Sequence, residues 1–186
     1  MIRFIIRSII IIVILILLAP VVFSITTEQR DKLFTEARLL CYTYGYICKP
    51  IEVVDTKYMW GQTDNYNNIR LSTALINRMT EAQVRGVLYH EVGHVVFQHS
   101  PKTIDYLTMC GSKCDPKTIS NMRRRYEYQA DRFATFTGIF THKEVDMEGA
   151  LLILTPPEKI NTTEPTHPST ADRIKAIQDI RSKYGK

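Results

Sequence analysis

Two histidines four residues apart, with a glutamate directly after the first, are the residues of this sequence best placed to do chemistry. The segment His90–His94 reads His-Glu-Val-Gly-His. Four residues of α-helix advance slightly more than one turn, so both imidazoles lie on one helix face and can bind one Zn²⁺. Glu91 lies beside them, where a general base can take a proton from a zinc-bound water. This spacing predicts a catalytic zinc site.

A catalytic zinc usually has three protein ligands, so the sequence must supply one more. Glu127 is the best candidate, because Asp115-Pro116 indicates a helix start and an apolar stripe at helical spacing follows it. Asp131 lies four residues later, where its carboxylate can hydrogen-bond a ligand histidine and fix its tautomer. Ala130 is small, which predicts that this helix lies close to the first.

Other residues after His94 have side chains that could fill the remaining ligand position, among them His99, Cys110 and Cys114. His99 lies five residues beyond His94, which is about 140° further around a continuous helix, so it is expected to point elsewhere. Cys110 and Cys114 have a spacing that allows a closed Cys₂His₂ structural site together with the two histidines. That alternative leaves the three nearby carboxylates without a role, so Glu127 is preferred as the ligand.

Local signals predict the elements that position these residues. Thr80 and Gln83 form a capping-box pattern, which predicts the start of the zinc-binding helix, and Ser100-Pro101 is expected to end it. Gly93 lowers the helix propensity by about 1 kcal/mol relative to alanine, and its presence predicts the close approach of another backbone.

The remaining segments predict an α+β domain that is mostly helical with a small sheet. Helices are expected over 26–44, 115–138, 141–154 and 169–183, and strands over 51–55 and 68–72. The second strand is expected to be an edge strand that can pair with an extended peptide substrate. Residues 100–118 are expected to form a loop between the two metal-binding helices, which acts as a lid.

The order of these motifs resembles the HtpX-like and CaaX-prenyl-protease-like gluzincin metallopeptidases. The resemblance covers roughly residues 30–180 and rests on His90–His94, on Glu127–Asp131, and on Thr166–Ser169 followed by Arg173. It implies a gluzincin-type zinc metallopeptidase domain with one Zn²⁺ per chain and with protein or peptide substrates.

The third of these motifs carries two further site residues. In the family it places a histidine and an arginine beside the active site, which implies that His167 and Arg173 hold the substrate and stabilise the oxyanion. The segment Trp60–Asn68 departs from the family pattern, and this departure concerns the substrate cleft, not the metal.

The chain opens with an apolar run at Ile9–Phe23 that is preceded by Arg3 and Arg7. This pattern predicts a hydrophobic helix over residues 1–25, either a signal anchor or a signal peptide, ahead of a metallopeptidase domain over 26–186. The positive-inside rule places the domain on the periplasmic or extracellular side. A retained anchor is preferred, and cleavage after Ser24 would instead give a secreted or periplasmic enzyme.

The sequence contains four cysteines, an even set in a chain whose leader pattern predicts export. Disulfides are therefore expected, and of three connectivities the two local pairs are preferred, namely Cys41–Cys48 and Cys110–Cys114. The net charge is +5, and the only basic cluster is Arg123–Arg125. No basic-aromatic pattern repeats, so no nucleic-acid partner is expected.

Together these features predict a membrane-tethered, extracytoplasmic zinc metalloendopeptidase in which Glu91 assists the attack of zinc-bound water on a peptide bond. The resemblance further implies a role in the quality control of envelope proteins. The alternative is a non-catalytic, zinc-stabilised binding or chaperone-like module. The presence of Glu91 argues against that alternative, because a module that only binds has no use for a general base.

Overall fold

The computed structural model describes residues 25–185. The predicted anchor or signal peptide over residues 1–25 therefore lies outside the described residues, apart from Ile25. Within the described range, no helix is both long enough and apolar enough to cross a membrane.

The described residues form an α+β architecture that is mostly helical, as predicted. The helices are α1 (Thr27–Thr43), α2 (Thr73–Arg78), α3 (Glu81–Val96), α4 (His99–Cys110), α5 (Pro116–Thr141), α6 (Met147–Leu154) and α7 (Thr170–Tyr184). The strands are β1 (Glu52–Val54), β2 (Gly61–Thr63) and β3 (Ile69–Ser72).

Strand β3 lies at the centre of the small sheet. It pairs in parallel with β1, where Val53 lies opposite Leu71, and antiparallel with β2, where Gly61 lies opposite Leu71. The prediction that the strand at 68–72 is an edge strand is therefore wrong. The edge strand that packs against α3 is β2. This strand could not be predicted from the sequence, because three residues are too few to show an alternating pattern.

Helix α3 is the central element of the core. Twelve of its 16 residues are buried, and it packs against α1, α5, α6 and the sheet. The predicted capping box is confirmed, since the backbone N–H of Gln83 donates to the Thr80 hydroxyl and the backbone N–H of Thr80 donates to the Gln83 side chain. These two bonds satisfy N–H groups that have no partner within the helix.

Helices α3 and α5 approach each other closely at Gly93. A Cβ on Gly93 would lie 3.1 Å from Ala130 Cα and 3.3 Å from Phe133 Cβ. The close backbone approach predicted from Gly93 and Ala130 is therefore confirmed. It brings the face of α3 that carries the two histidines against the face of α5 that carries the two carboxylates.

Residues 100–118 do not form the predicted loop. The chain leaves α3 at Val96, turns through Gln98 in the left-handed region (φ 55°, ψ 44°), and starts α4 at His99. Pro101 lies in the first turn of α4, where proline is tolerated because the N–H groups of that turn have no helical partner. The proline was expected to end a helix, and it instead lies near the start of one.

The boundary between α5 and α6 also differs from the prediction. Helix α5 continues past Gly138 to Thr141, and α6 begins only at Met147, where the Asp146 carboxylate accepts from the backbone N–H of Gly149. Gly138 is a packing residue and not a helix end, since a Cβ there would lie 2.8 Å from Val145 Cγ2. Tertiary packing therefore overrides the local signals that predicted a helix end at 138 and a new helix from 141.

Both local disulfides form as predicted. Cys41 at the end of α1 is bonded to Cys48, and Cys110 at the end of α4 is bonded to Cys114 just before α5. The second bond ties α4 to the start of the helix that carries Glu127. Because both sulfur atoms are in this disulfide, neither is available as a thiolate ligand for the alternative Cys₂His₂ site.

Candidate active site

The structure brings the three predicted metal ligands together. His90 Nε2 and His94 Nε2 are 3.0 Å apart, and each lies 3.5 Å from an oxygen of the Glu127 carboxylate. Ligand atoms bonded at about 2.0–2.1 Å around a tetrahedral ion are about 3.3–3.4 Å from one another. The three side chains thus have the spacing of ligands around one ion, and they form a candidate metal site.

Asp131 supports His90 from the side away from this site. His90 Nδ1 donates to Asp131 Oδ1 at 2.9 Å, and Asp131 is only 1% exposed. A proton held on Nδ1 leaves the lone pair of His90 Nε2 free for a metal ion. The predicted pairing of Asp131 with a ligand histidine is therefore present in the structure.

Arg173 on α7 lies beneath the two carboxylates of α5. Its Nε and Nη2 atoms each donate to Asp131 at 2.7 Å, and its Nη1 atom lies 3.4 Å from Glu127 Oε2. The side chain is 9% exposed. This arrangement favours a role in holding Asp131 and Glu127 in place over the oxyanion contact that the resemblance implies.

Burial and charge pairing together set the protonation of the carboxylates. Burial opposes ionisation of Glu127, but its hydrogen bond to His90 and the charge of Arg173 outweigh burial and hold its pKa well below the ordinary value. Burial likewise opposes ionisation of Asp131, and the charge and hydrogen bonds of Arg173 lower its pKa. Both carboxylates are therefore ionised at neutral pH, as a metal site requires.

The pKa values of His90 and His94 are shifted in opposite directions. Burial opposes a proton on His90, but hydrogen bonds to Asp131 and Glu127 outweigh burial and raise its pKa. Burial lowers the pKa of His94, and the charge on His90 lowers it further. A metal ion would therefore meet a neutral His94 and would replace a proton on His90.

Glu91 lies beside the ligands and faces the cleft. The Thr63 hydroxyl donates to Glu91 Oε2 at 2.8 Å and lies 3.1 Å from the Glu91 carbonyl oxygen. Burial raises the pKa of the Glu91 carboxyl group, which suits a group that must accept a proton. Thr63 was missed in the sequence because its role depends on β2, which the local pattern does not reveal.

His99 lies against His94, so the expectation that it points elsewhere is wrong. His99 Nδ1 is 2.9 Å from His94 Nδ1, and His99 Nε2 is 3.1 Å from Gln129 Oε1. The estimate of 140° assumed one continuous helix, whereas the left-handed backbone at Gln98 breaks the helix and returns His99 to the histidine face. Burial lowers the pKa of His99 to about 4, so its ring is neutral at neutral pH.

His167 lies at the open side of the cluster. Its Nε2 atom is 3.8 Å from Glu127 Oε1, its Nδ1 atom is 2.7 Å from the Thr166 hydroxyl, and its side chain is half exposed. A cleft of about 680 Å³ runs past the ligands and His167. Strand β2 and apolar side chains of α6, among them Met147 and Leu151, form other parts of its lining.

Residues 62–182, more than half of the chain, match the family model of Peptidase U49. The chain belongs to the Peptidase U49 family. The matched region contains all three candidate ligands together with Glu91, Asp131, His167 and Arg173. A comparison with curated proteins gave no match. Membership in Peptidase U49 supports a peptidase with protein or peptide substrates, but it does not single out the HtpX-like relationship.

Proposed function

We propose that this Peptidase U49 member is a zinc-dependent metalloendopeptidase whose metal ligands are His90, His94 and Glu127. The observation that carries the proposal is the 3.0–3.5 Å spacing of their ligand atoms, with Glu91 beside them in the cleft. Two imidazole nitrogens and one carboxylate favour Zn²⁺ over Ca²⁺ or Mg²⁺, which prefer oxygen ligands throughout.

The residues of the cluster have different chemical roles in this proposal. A divalent ion bound there supplies Lewis acidity toward the substrate carbonyl and the attacking water. Glu91, held by Thr63, accepts a proton from the water and passes it to the leaving nitrogen. His167 lies on the open side, where an imidazole N–H can donate to the carbonyl oxygen as negative charge develops.

Strand β2 provides a backbone edge for the substrate. It pairs with β3 on one side, and all three of its residues, Gly61–Thr63, line the cleft on the way to Glu91. An extended peptide can pair with such an edge through its main chain, whatever its side chains are. We therefore assign to β2 the role in substrate binding that the sequence analysis gave to residues 68–72.

The substitution Glu91→Gln tests catalysis separately from metal binding. It removes the base but keeps the shape, so cleavage is expected to fall by about 100-fold or more while the metal content stays at the wild-type level. Cleavage is measured by mass spectrometry as new N-termini in a peptide library. Glu144→Gln, at an exposed position outside the cleft, is the matched control and is expected to leave cleavage unchanged.

Undiminished cleavage by Glu91→Gln would contradict the proposed mechanism. A loss of cleavage in Glu144→Gln as large as that in Glu91→Gln would show that the loss does not report on the active site. The same experiment distinguishes an enzyme from a non-catalytic, zinc-stabilised module. Such a module would not cleave the peptides even as the wild type, so it could show no difference between wild type and Glu91→Gln.

We also propose that residues 1–25 tether the enzyme to a membrane with its catalytic domain on the extracytoplasmic side. The apolar run at Ile9–Phe23 after two arginines supports this, and the two disulfides suit an oxidising compartment. A role in envelope protein quality control is carried over from the HtpX-like resemblance. The intact mass of the native protein tests the tether, and a mass beginning at Ile25 would contradict it.

A further inference from the structure

We propose that His99 and Gln129 are positioning residues that fix the tautomer and the orientation of His94. His90 has a carboxylate behind it, whereas the Nδ1 atom of His94 faces another imidazole. This inference rests on the proposed metal site, because it concerns how one of the ligands of that site is held.

The polar atoms of the three side chains form a hydrogen-bond chain with one consistent direction. The carbonyl oxygen of the Gln129 amide lies 3.1 Å from His99 Nε2, so Nε2 carries the proton and donates it. With its proton on Nε2, the His99 ring presents a lone pair at Nδ1, and this atom accepts from His94 Nδ1 at 2.9 Å.

This direction leaves His94 in the tautomer that a metal ligand needs. With its proton on Nδ1, His94 has a free lone pair at Nε2, the atom that lies 3.0 Å from His90 Nε2 and 3.5 Å from Glu127. Hydrogen bonds from the second nitrogen of a ligand histidine commonly fix its tautomer and its ring orientation. His99 provides that bond here in place of a carboxylate or a carbonyl oxygen.

Packing holds the His99 ring in place. The ring is stacked on Tyr126 with 4.1 Å between centroids and 10° between planes, and Phe97 stacks nearby at 5.6 Å. His99 is 3% exposed, and both of its nitrogens have partners. A buried polar ring with both nitrogens satisfied has one favoured orientation, since any rotation would leave a buried donor or acceptor unpaired.

The backbone has an unfavourable conformation at Gln98, the residue directly before His99. Gln98 has φ 55° and ψ 44°, a left-handed conformation that is costly for a residue with a Cβ. Its side chain donates to the Val95 carbonyl oxygen at 2.7 Å and stabilises the turn. Such strained residues are found more often at functional sites, where the surrounding structure enforces them.

The amide of Gln129, in the place of a carboxylate, affects how tightly the site is expected to bind a metal ion. A carboxylate behind a ligand histidine makes the ligand more basic, and Asp131 does this for His90. Gln129 is a neutral amide, so the chain behind His94 ends without the negative charge that Asp131 places behind His90, and His94 is the less basic of the two ligands. Gln129→Glu would place a carboxylate at the end of the chain and is expected to tighten metal binding, whereas Gln129→Met would remove the acceptor and weaken it.

The test measures metal affinity and the visible spectrum of the Co²⁺-loaded protein for the full chain. His99→Phe keeps the aromatic stack but removes both hydrogen bonds, and Gln129→Met removes one. Both variants are expected to lose affinity for Zn²⁺ by about 10–100-fold and to shift the Co²⁺ absorption bands. Gln129→Glu is expected to bind at least as tightly as the wild type, and Glu144→Gln, at an exposed position outside the cleft, is the control that stays unchanged.

The outcomes separate this inference from the proposed function. A wild type that binds one ion, together with unchanged affinity and spectra in His99→Phe and Gln129→Met, would overturn the positioning role and leave the metal site intact. A wild type that binds no metal would overturn both. Circular dichroism of the metal-free variants shows whether they fold. If His99→Phe does not fold, the comparison of Gln129→Met with Gln129→Glu provides the test, because Gln129 is only partly buried and its substitution disturbs the fold less.

Discussion

Asp131 and Arg173 form a buried ion pair directly behind the ligand His90. Asp131→Asn would keep the shape of the side chain but leave the Arg173 guanidinium without its closest charge partner. Breaking a buried pair from one side costs about 3–5 kcal/mol, so a clearly lower melting temperature is expected for the metal-free protein. Metal affinity is expected to fall by about 10-fold or more, because His90 loses the group that fixes its tautomer.

The matched control is Asp179→Asn, which removes an exposed carboxylate on the same helix as Arg173. Its melting temperature and metal affinity are expected to match those of the wild type. Thermal unfolding with and without zinc measures both effects. If Asp131→Asn melted and bound metal like the control, the ion pair would have no role in supporting the site.

Thr63 is expected to matter for turnover and not for metal binding. Its hydroxyl donates to the Glu91 carboxylate, and a hydrogen bond to a charged group contributes about 1.5–3 kcal/mol. Thr63→Val is expected to lower kcat by about 10-fold with one metal ion still bound, while Thr63→Ser keeps the hydroxyl and most of the rate. A Thr63→Val enzyme with wild-type kcat would show that Glu91 needs no such support.

The site residues that could be predicted from the sequence are those whose geometry depends only on helical spacing. His90, His94, Glu127 and Asp131 each follow from an i,i+4 pattern on a helix that carries its own start signal. Thr63 and His99 could not be predicted in the same way. Thr63 reaches Glu91 only through strand pairing, and His99 reaches His94 only through the left-handed turn at Gln98.

At the scale of elements, the contact between α3 and α5 sets the distances within the site. A methyl group on Gly93 would lie 3.1 Å from the backbone of Ala130, which cannot rotate away as a flexible side chain could. Gly93→Ala is therefore expected to destabilise the fold by about 1–3 kcal/mol from overpacking. The higher helix propensity of alanine offsets about 1 kcal/mol of this cost, so the net loss expected is up to about 2 kcal/mol.

Urea unfolding of the metal-free protein measures this loss, and zinc affinity is expected to fall as well because the ligands of the two helices move apart. Lys175→Ala, on an exposed part of α7, is the control and is expected to stay within about 0.5 kcal/mol of the wild type. A Gly93→Ala protein that was more stable than the wild type would contradict the close approach of the helices.

The predicted helices that agree best with the structure are those with a cap beside an apolar stripe. This holds for α1, α3, α7 and the start of α5, each of which begins at or next to its predicted residue. The errors arise where one residue type suits two structures. Pro101 suits the first turn of a helix as well as an end, and Gly138 suits a tight packing contact as well as a helix terminus.

At the scale of the whole molecule, the site joins parts of the chain that are far apart in sequence. The candidate ligands come from α3 and α5, the hydroxyl that donates to Glu91 comes from β2, and Arg173 comes from the last helix. A bound ion would therefore connect the two central helices of the fold and add its binding free energy to stability. The family match, which begins within β2 and ends within α7, spans all of these parts.

His90, His94 and Glu127 are proposed to hold one catalytic zinc ion. Metal content per chain, measured by mass spectrometry for the wild type and for Glu127→Gln, tests it most directly, with Glu144→Gln as the matched control. We expect one zinc per chain in the wild type and the control, and a large loss in Glu127→Gln. Equal zinc in all three proteins, or none in the wild type, would contradict it.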